Sequence, residues 1–342
     1  MDVVYLAGTR RQRCSVCRVA PAITCITVPT PFRIGPVNCW LIEGDALALV
    51  DVGPNCAPSL AAVEAGLAER GYTVGDLDRL ILTHQHYDHV GLAAELRERS
   101  GAQVVAHAGM VGYLTDGDAS NDAEDAFAEA IMRLHGVDAG VIAQLREAAR
   151  SRWHLGCSTP VDLPVHDGDL LDLGSVALRV HHRPGHSPTD TIFVDEATGV
   201  ALVGDHLLGA ISSNPILHRP LDGPADPVRR PRTLVRYLES MQRTADLGLT
   251  RALTGHRGTV EDPPALVTAR RREHDERKEE IFAAMAQGPV TAVQIGAVLW
   301  PRLPVDQAYL AICEVLGHID LLVDEGRAIE TTEGGTVRIA RA

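Results

Sequence analysis

The chain has 342 residues, a formal charge of −13, 45% hydrophobic side chains and a mean hydropathy of zero. A chain of this size can bury a large core with room for a small second domain, and its acidity argues against broad electrostatic capture of nucleic acid, which needs clustered Lys and Arg. No apolar run approaches the ~20 residues of a membrane span, and no basic-then-apolar signal pattern opens the chain, so a cytoplasmic protein without membrane contact is expected.

Residues 1–22 carry Arg10, Arg11, Arg13, Arg18 and the pair Cys14 and Cys17, and read as a loose, dispensable extension holding free thiols. The β pattern starts at Ile23, with strands expected over 23–28, 39–42 and 47–52 and a turn at Glu43-Gly44-Asp45. Asp51 closes the third strand and is placed to support a metal ligand from behind, or to make an ordinary strand-end turn. Leu60, Val63 and Leu67 recur at helical spacing over 59–70, ended by Gly71, and a buried strand follows over 79–83.

Directly after that strand comes Thr83-His84-Gln85-His86-Tyr87-Asp88-His89. A single histidine is ordinarily a hydrogen-bonded core or surface residue. Three of them with a carboxylate in six residues have no packing rationale, because each imidazole brings two polar nitrogens that need partners. This spacing is that of a metal site on a loop at the carboxyl end of a strand, with a helix expected over 91–99. A strand over 103–106 follows, and His107 behind it reads as structural.

Residues 110–160 break the strand–helix alternation with two amphipathic helices, expected over 122–135 and 139–150. Phe127, Ile131, Leu134 and Leu145 on this insertion would cap the site and line an apolar pocket, or belong to a plain helical hairpin that only packs on the sandwich or a partner subunit. Strands return over 176–182, 191–195 and 200–203, each expected to carry a ligand at or near its end, then a helix over 231–245 and a strand over 251–253. The candidate ligands here are His186 in Pro184-Gly185-His186, Asp205 in Gly204-Asp205-His206 and His256 in Thr254-Gly255-His256. A charged helix over 265–287 reads as a solvated face. Helices over 291–299 and 306–325 and a β pair over 328–331 and 337–340 complete the pattern, which looks like a winged helix. Its nine basic against twelve acidic side chains over 264–342 argue against DNA reading.

The His84–His89 cluster and these three turns together, in this order over about 23–262, resemble the metallo-β-lactamase superfamily of zinc hydrolases, which includes glyoxalase II, lactonases and certain nucleases. The C-terminal part is similar to the module of one branch of these hydrolases. The resemblance implies an α/β fold, a four-layer αββα sandwich over 23–262 with the helical insertion at about 110–160, and a small winged-helix-like domain over 263–342. It assigns His84, His86 and His186 to one metal, Asp88, His89 and His256 to a second, and Asp205 to a bridge between them, with Asp88 also counted as catalytic. The implied cofactors are two divalent ions, zinc first, with manganese or iron as alternatives. Such a centre shares a hydroxide and attacks an ester-type carbonyl. A thioester, ester or lactone of a small molecule is therefore the first expectation. Phosphodiester cleavage of RNA is the second, because the branch includes endoribonucleases, and a non-catalytic metal-binding regulator is the third. The expected partner is a small-molecule substrate, not nucleic acid; a homodimer is left open.

Overall fold

β-Branched and apolar residues of alternating direction build the two large sheets of the sandwich, apart from a two-stranded sheet near the C-terminus, in the computed structural model, which describes residues 22–342. The N-terminal half supplies β1 (Ala22–Val28), β2 (Val37–Glu43), β3 (Leu47–Val50), α1 (Ala57–Glu69), β4 (Arg79–Leu82), α2 (Tyr87–Val90), α3 (Ala93–Ser100) and β5 (Gln103–His107). The insertion is α4 (Val111–Thr115), α5 (Gly117–Leu134) and α6 (Ala139–Arg150). Then follow β6 (Leu163–Val165), β7 (Leu170–Asp172), β8 (Ala177–His182), β9 (Thr191–Asp195), β10 (Val200–Gly204), α7 (Thr233–Ala245) and β11 (Arg251–Thr254). The chain ends with α8 (Pro263–Ala284), α9 (Ala292–Leu299), α10 (Ala308–Asp324), β12 (Ala328–Glu333) and β13 (Thr336–Arg341).

Among the described residues, six strands form one sheet in the order β1-β2-β3-β4-β5-β6, and five form a second in the order β11-β10-β9-β8-β7. Neighbouring residues on one strand serve opposite faces. Val50, Ile81 and Val105 meet Leu178, Phe193 and Leu202 of the second sheet, whereas Leu49, Leu80 and Val104 pack outward with Val63, Leu67 and Leu96 of the helices. On the far side Ile192, Val194 and Ala201 pack under Leu234, Tyr237 and Met241 of α7. Helix, sheet, sheet, helix is therefore the layering, and both faces of the parallel strands β3, β4 and β5 are covered.

Several local expectations need correction. Asp88 and His89 stand on the helical turn α2 and not on an open loop. The strands β6 and β7 had no expectation; three residues each are too short to carry a period. No candidate ligand lies at either end of β9. The proposed extension over 1–22, with Cys14 and Cys17, lies outside the described residues except for Ala22, which opens β1. Among the described residues no helix is long and apolar enough to cross a membrane.

The insertion does not present its apolar face to the site. Phe127 is 3% exposed and Ile131 fully buried, and both share one core with Ile281, Ile295, Ile312 and Leu316 of the C-terminal helices. Within the C-terminal helices, His274 of α8 and His318 of α10 face each other, Nδ1 to Nε2 at 3.2 Å. Burial holds His318 down at about 3 and His274 at about 4. A neutral imidazole so lowered favours the fold above the ordinary value of ~6.5, and the contribution drains away as the pH falls from there towards 4. Asp320, pushed up to about 6 by burial, acts in the opposite sense, so comparison with a variant isolates the effect. Between pH 7 and 5 the wild type should lose about 2 kcal/mol more stability than His318→Gln. Denaturant unfolding at the two pH values measures this, and equal losses would contradict it.

Candidate metal centre

All seven candidate ligands come together at one end of the sandwich, where β3, β4, β10 and β11 finish. His84 and His86 follow β4, Asp88 and His89 stand on α2, His186 follows β8, Asp205 follows β10 and His256 follows β11. The ligand atoms of His84, His86 and His186 lie within 4.8 Å of one another, as do those of Asp88, His89 and His256, and those of His84, His89 and Asp205.

Hydrogen-bond partners on the outer side of each ring fix where the protons are. His186 Nδ1 donates to the Asn214 carbonyl at 2.9 Å, His256 Nδ1 to the Pro36 carbonyl at 2.7 Å and His89 Nδ1 to Asp51 Oδ2 at 2.7 Å. Thr83 Oγ1 gives its proton to Asp51 Oδ2 at 2.8 Å and so accepts from His84 Nδ1 at 3.0 Å. In a neutral ring so oriented the inner nitrogen is a lone pair. His84 Nε2 and His186 Nε2 each lie 3.0 Å from His86 Nδ1. Ligands ~2.0–2.1 Å from a tetrahedral ion stand ~3.3 Å apart, close to this spacing. Three facing lone pairs repel unless a cation sits among them.

On the other side His256 Nε2 is 3.3 Å from Asp88 Oδ2, and His89 Nε2 is 3.9 Å from Asp88 Oδ1. The Asp205 carboxylate stands between the two groups: Oδ1 is 3.5 Å from His89 Nε2, and Oδ2 is 3.7 Å from His186 Nε2 and 3.6 Å from His256 Nε2. His89 Nε2, His256 Nε2 and Asp205 Oδ1 are buried without a hydrogen-bond partner, an expense a fold does not carry without a ligand. Gly255 keeps the cradle open, since a Cβ there would lie 2.3 Å from Asp205 Oδ1.

The electrostatics divide in the same way. Burial, aided by neighbouring imidazoles, holds His84 and His86 well below their usual value, which suits neutral ligands. Burial would also lower His89, yet Asp51, Asp205 and Asp88 outweigh it and hold His89 at about 10. Those carboxylates demand positive charge at this point, whether a proton or a metal meets the demand. The donor set therefore fits divalent cations.

Asp51 does lie behind the candidate ligands, bound to Thr83 and His89. It is buried, adopts φ 57°, a left-handed conformation tolerated by Asp, and binds Thr83 N and Oγ1 as well as His89. Other residues escaped the sequence. Arg270, inside a charge run read as a solvated face, is 9% exposed, and its guanidinium donates to the carbonyls of Leu208, Gly209 and Ile211 behind Asp205. Ser213 Oγ donates to the Asp205 carbonyl, and Tyr237 Oη to the His206 carbonyl at 2.8 Å. No local pattern separates these from ordinary polar residues.

A model of the metallo-beta-lactamase superfamily matches residues 33–256, spanning every one of these candidate ligands. The chain belongs to the metallo-beta-lactamase superfamily. Within it, the chain is 31% identical to the probable metallo-hydrolase YqjP of Bacillus subtilis over 92% of its own length and 96% of the relative's. It is similar to a metallo-beta-lactamase family protein from Thermus thermophilus (TM-score 0.76, 29% identity, 94% of this chain and 98% of that one). It also resembles a beta-lactamase domain protein from Burkholderia ambifaria (TM-score 0.79, 27% identity, 95% and 93%). A hydroxyacylglutathione hydrolase of a Bradyrhizobium species is 27% identical over 47% of this chain and 43% of its own length. Both of these solved relatives and YqjP match over nearly the whole length, so the helical insertion and C-terminal elements of this superfamily hydrolase are not peculiar to it.

Proposed function

We propose that the protein is a dinuclear, zinc-first hydrolase that cleaves a thioester, ester or lactone of a small molecule. The observation that carries this reading is the paired set of inward-facing lone pairs and orphaned atoms joined by Asp205. His84, His86 and His186 would hold one ion, and Asp88, His89 and His256 the other. Two bound divalent ions would supply a water nucleophile near neutral pH, its pKa brought to about 7, and would polarise a carbonyl. The chain's own part is to fix the ligand tautomers through Asp51, Thr83, Pro36 and Asn214, and to keep Asp88 ionised. Burial pushes the Asp88 carboxyl up, but His89 and His256 outweigh it and hold it below the usual value.

A carbonyl substrate is favoured over RNA by what surrounds the centre. Arg183 pairs with Asp167, Arg219 with Glu124 and His218 with Glu124, while His182 faces the Pro188 carbonyl. These basic side chains are committed to protein partners and leave little to grip a polyanionic backbone. The relatives named hydroxyacylglutathione hydrolase point the same way. Leu92, Leu207 and Leu208, close to the candidate ligands in the sequence, are buried core, so the apolar contribution near the site comes from the half-buried Tyr87, Ile211 and Ile216.

Metal-loaded protein should turn over at least one of a panel of apolar thioesters and lactones, and His186→Ala should lose kcat on the same substrate. Efficient cleavage of a short RNA, with no carbonyl ester hydrolysed, would reverse the assignment.

A further inference from the structure

The insertion reaches the metal centre through charge, not through its apolar face. Ser120, Glu124, Phe127 and Ile131 lie three or four residues apart and share one stripe of α5. Phe127 and Ile131 anchor that stripe in the C-terminal core. One turn before Phe127, Glu124 Oε2 is 3.1 Å from His218 Nδ1, and His218 Nε2 is 3.1 Å from His86 Nε2. Glu124 is itself held on several sides: Tyr113 Oη donates at 2.8 Å, Arg219 Nε at 2.9 Å and the Arg219 backbone N–H at 3.2 Å. Arg219 is in turn fixed by a bond to Ser120 Oγ at 2.8 Å.

With His218 neutral, proton counting gives this chain one consistent state. An ionised carboxylate only accepts, so His218 carries its proton on Nδ1. His218 Nε2 is then a lone pair and accepts from His86 Nε2–H. The lone pair of His86 is thereby left on Nδ1, the atom 3.0 Å from both His84 Nε2 and His186 Nε2. Every other histidine of the centre is oriented by a backbone carbonyl or by Thr83 and Asp51; His86 alone among them relies on a carboxylate borrowed from the insertion. Burial alone would raise the Glu124 carboxyl, but His218, Tyr113 and Arg219 hold it below its usual value.

We infer that Glu124 and His218 are positioning residues that set the tautomer and basicity of His86, so that the helical insertion controls the affinity of the His84–His86–His186 metal site. This rests on the metal reading given above. Loss of a partner of this kind typically weakens metal binding by ~10–100-fold. The effect should fall on one ion of the pair.

Cobalt(II) titration of the apo-protein, read by its visible d–d bands and by competition with a chelator, tests the inference without any substrate. His218→Ala should weaken one binding step by ~10–100-fold and leave the other near its wild-type value. His218→Gln, whose amide oxygen can accept from His86 Nε2, should recover most of the loss. Glu124→Gln, which keeps an acceptor for His218 but removes the charge, should fall between wild type and His218→Ala. Unchanged affinity at both steps in folded His218→Ala, or equal loss at both, would overturn the inference. If His218→Ala fails to fold, Glu124→Gln with wild-type binding would overturn it by itself. A wild-type protein that takes up no cobalt would overturn the metal reading as well, which distinguishes the two failures.

Discussion

Asp205→Ala should leave a folded chain that retains neither metal tightly and hydrolyses its substrate with kcat lowered by on the order of a thousandfold. The expectation follows from position. One carboxylate places Oδ1 towards His89 and Oδ2 towards both His186 and His256, so on the proposed dinuclear reading its loss would remove a ligand and a compensating charge from each site at once. His84→Ala, by contrast, opens chiefly one group. A variant with wild-type metal content and turnover would show that Asp205 is structural, its carbonyl merely receiving the Ser213 hydroxyl.

Phe127→Ala should destabilise the protein by about 3–5 kcal/mol and leave KM nearly unchanged. The ring is 3% exposed and packs with Ile131, Ile281 and Ile312, so truncation opens a cavity at the junction of insertion and C-terminal helices. Sequence periodicity identifies the apolar stripe of α5 but does not name its partner, which is why a pocket wall was expected there. Denaturant midpoints separate the outcomes: a raised KM with unaltered unfolding would restore the capping role.

The layered fold was legible because its signals are local. Strands such as 79–83, ending in a cluster of histidines, announce themselves by composition, and the Pro-Gly-His, Gly-Asp-His and Thr-Gly-His turns mark the remaining candidate ligands. The supporting contacts were not legible, because they join residues far apart in the chain. Glu124 meets His218 across 94 positions, Arg270 meets Leu208 across 62 and Asn38 meets Thr254 across 216. Glu124, Arg270 and Asn38 each read in isolation as a solvated charge or a turn former. Asp51 is the intermediate case. Its strand-end position suggested a supporting role, but only the left-handed backbone and the paired bonds to Thr83 and His89 distinguish that from a turn. The short strands β6 and β7 were missed for want of length, and α2 was missed because four helical residues carry no period.

The count of metal ions per chain tests the central claim most directly. Elemental analysis of protein purified without chelators and then supplied with zinc should give close to two ions for the wild type, and far fewer for Asp205→Ala measured alongside it. A wild-type value near zero that does not rise with zinc, manganese or iron would contradict the account.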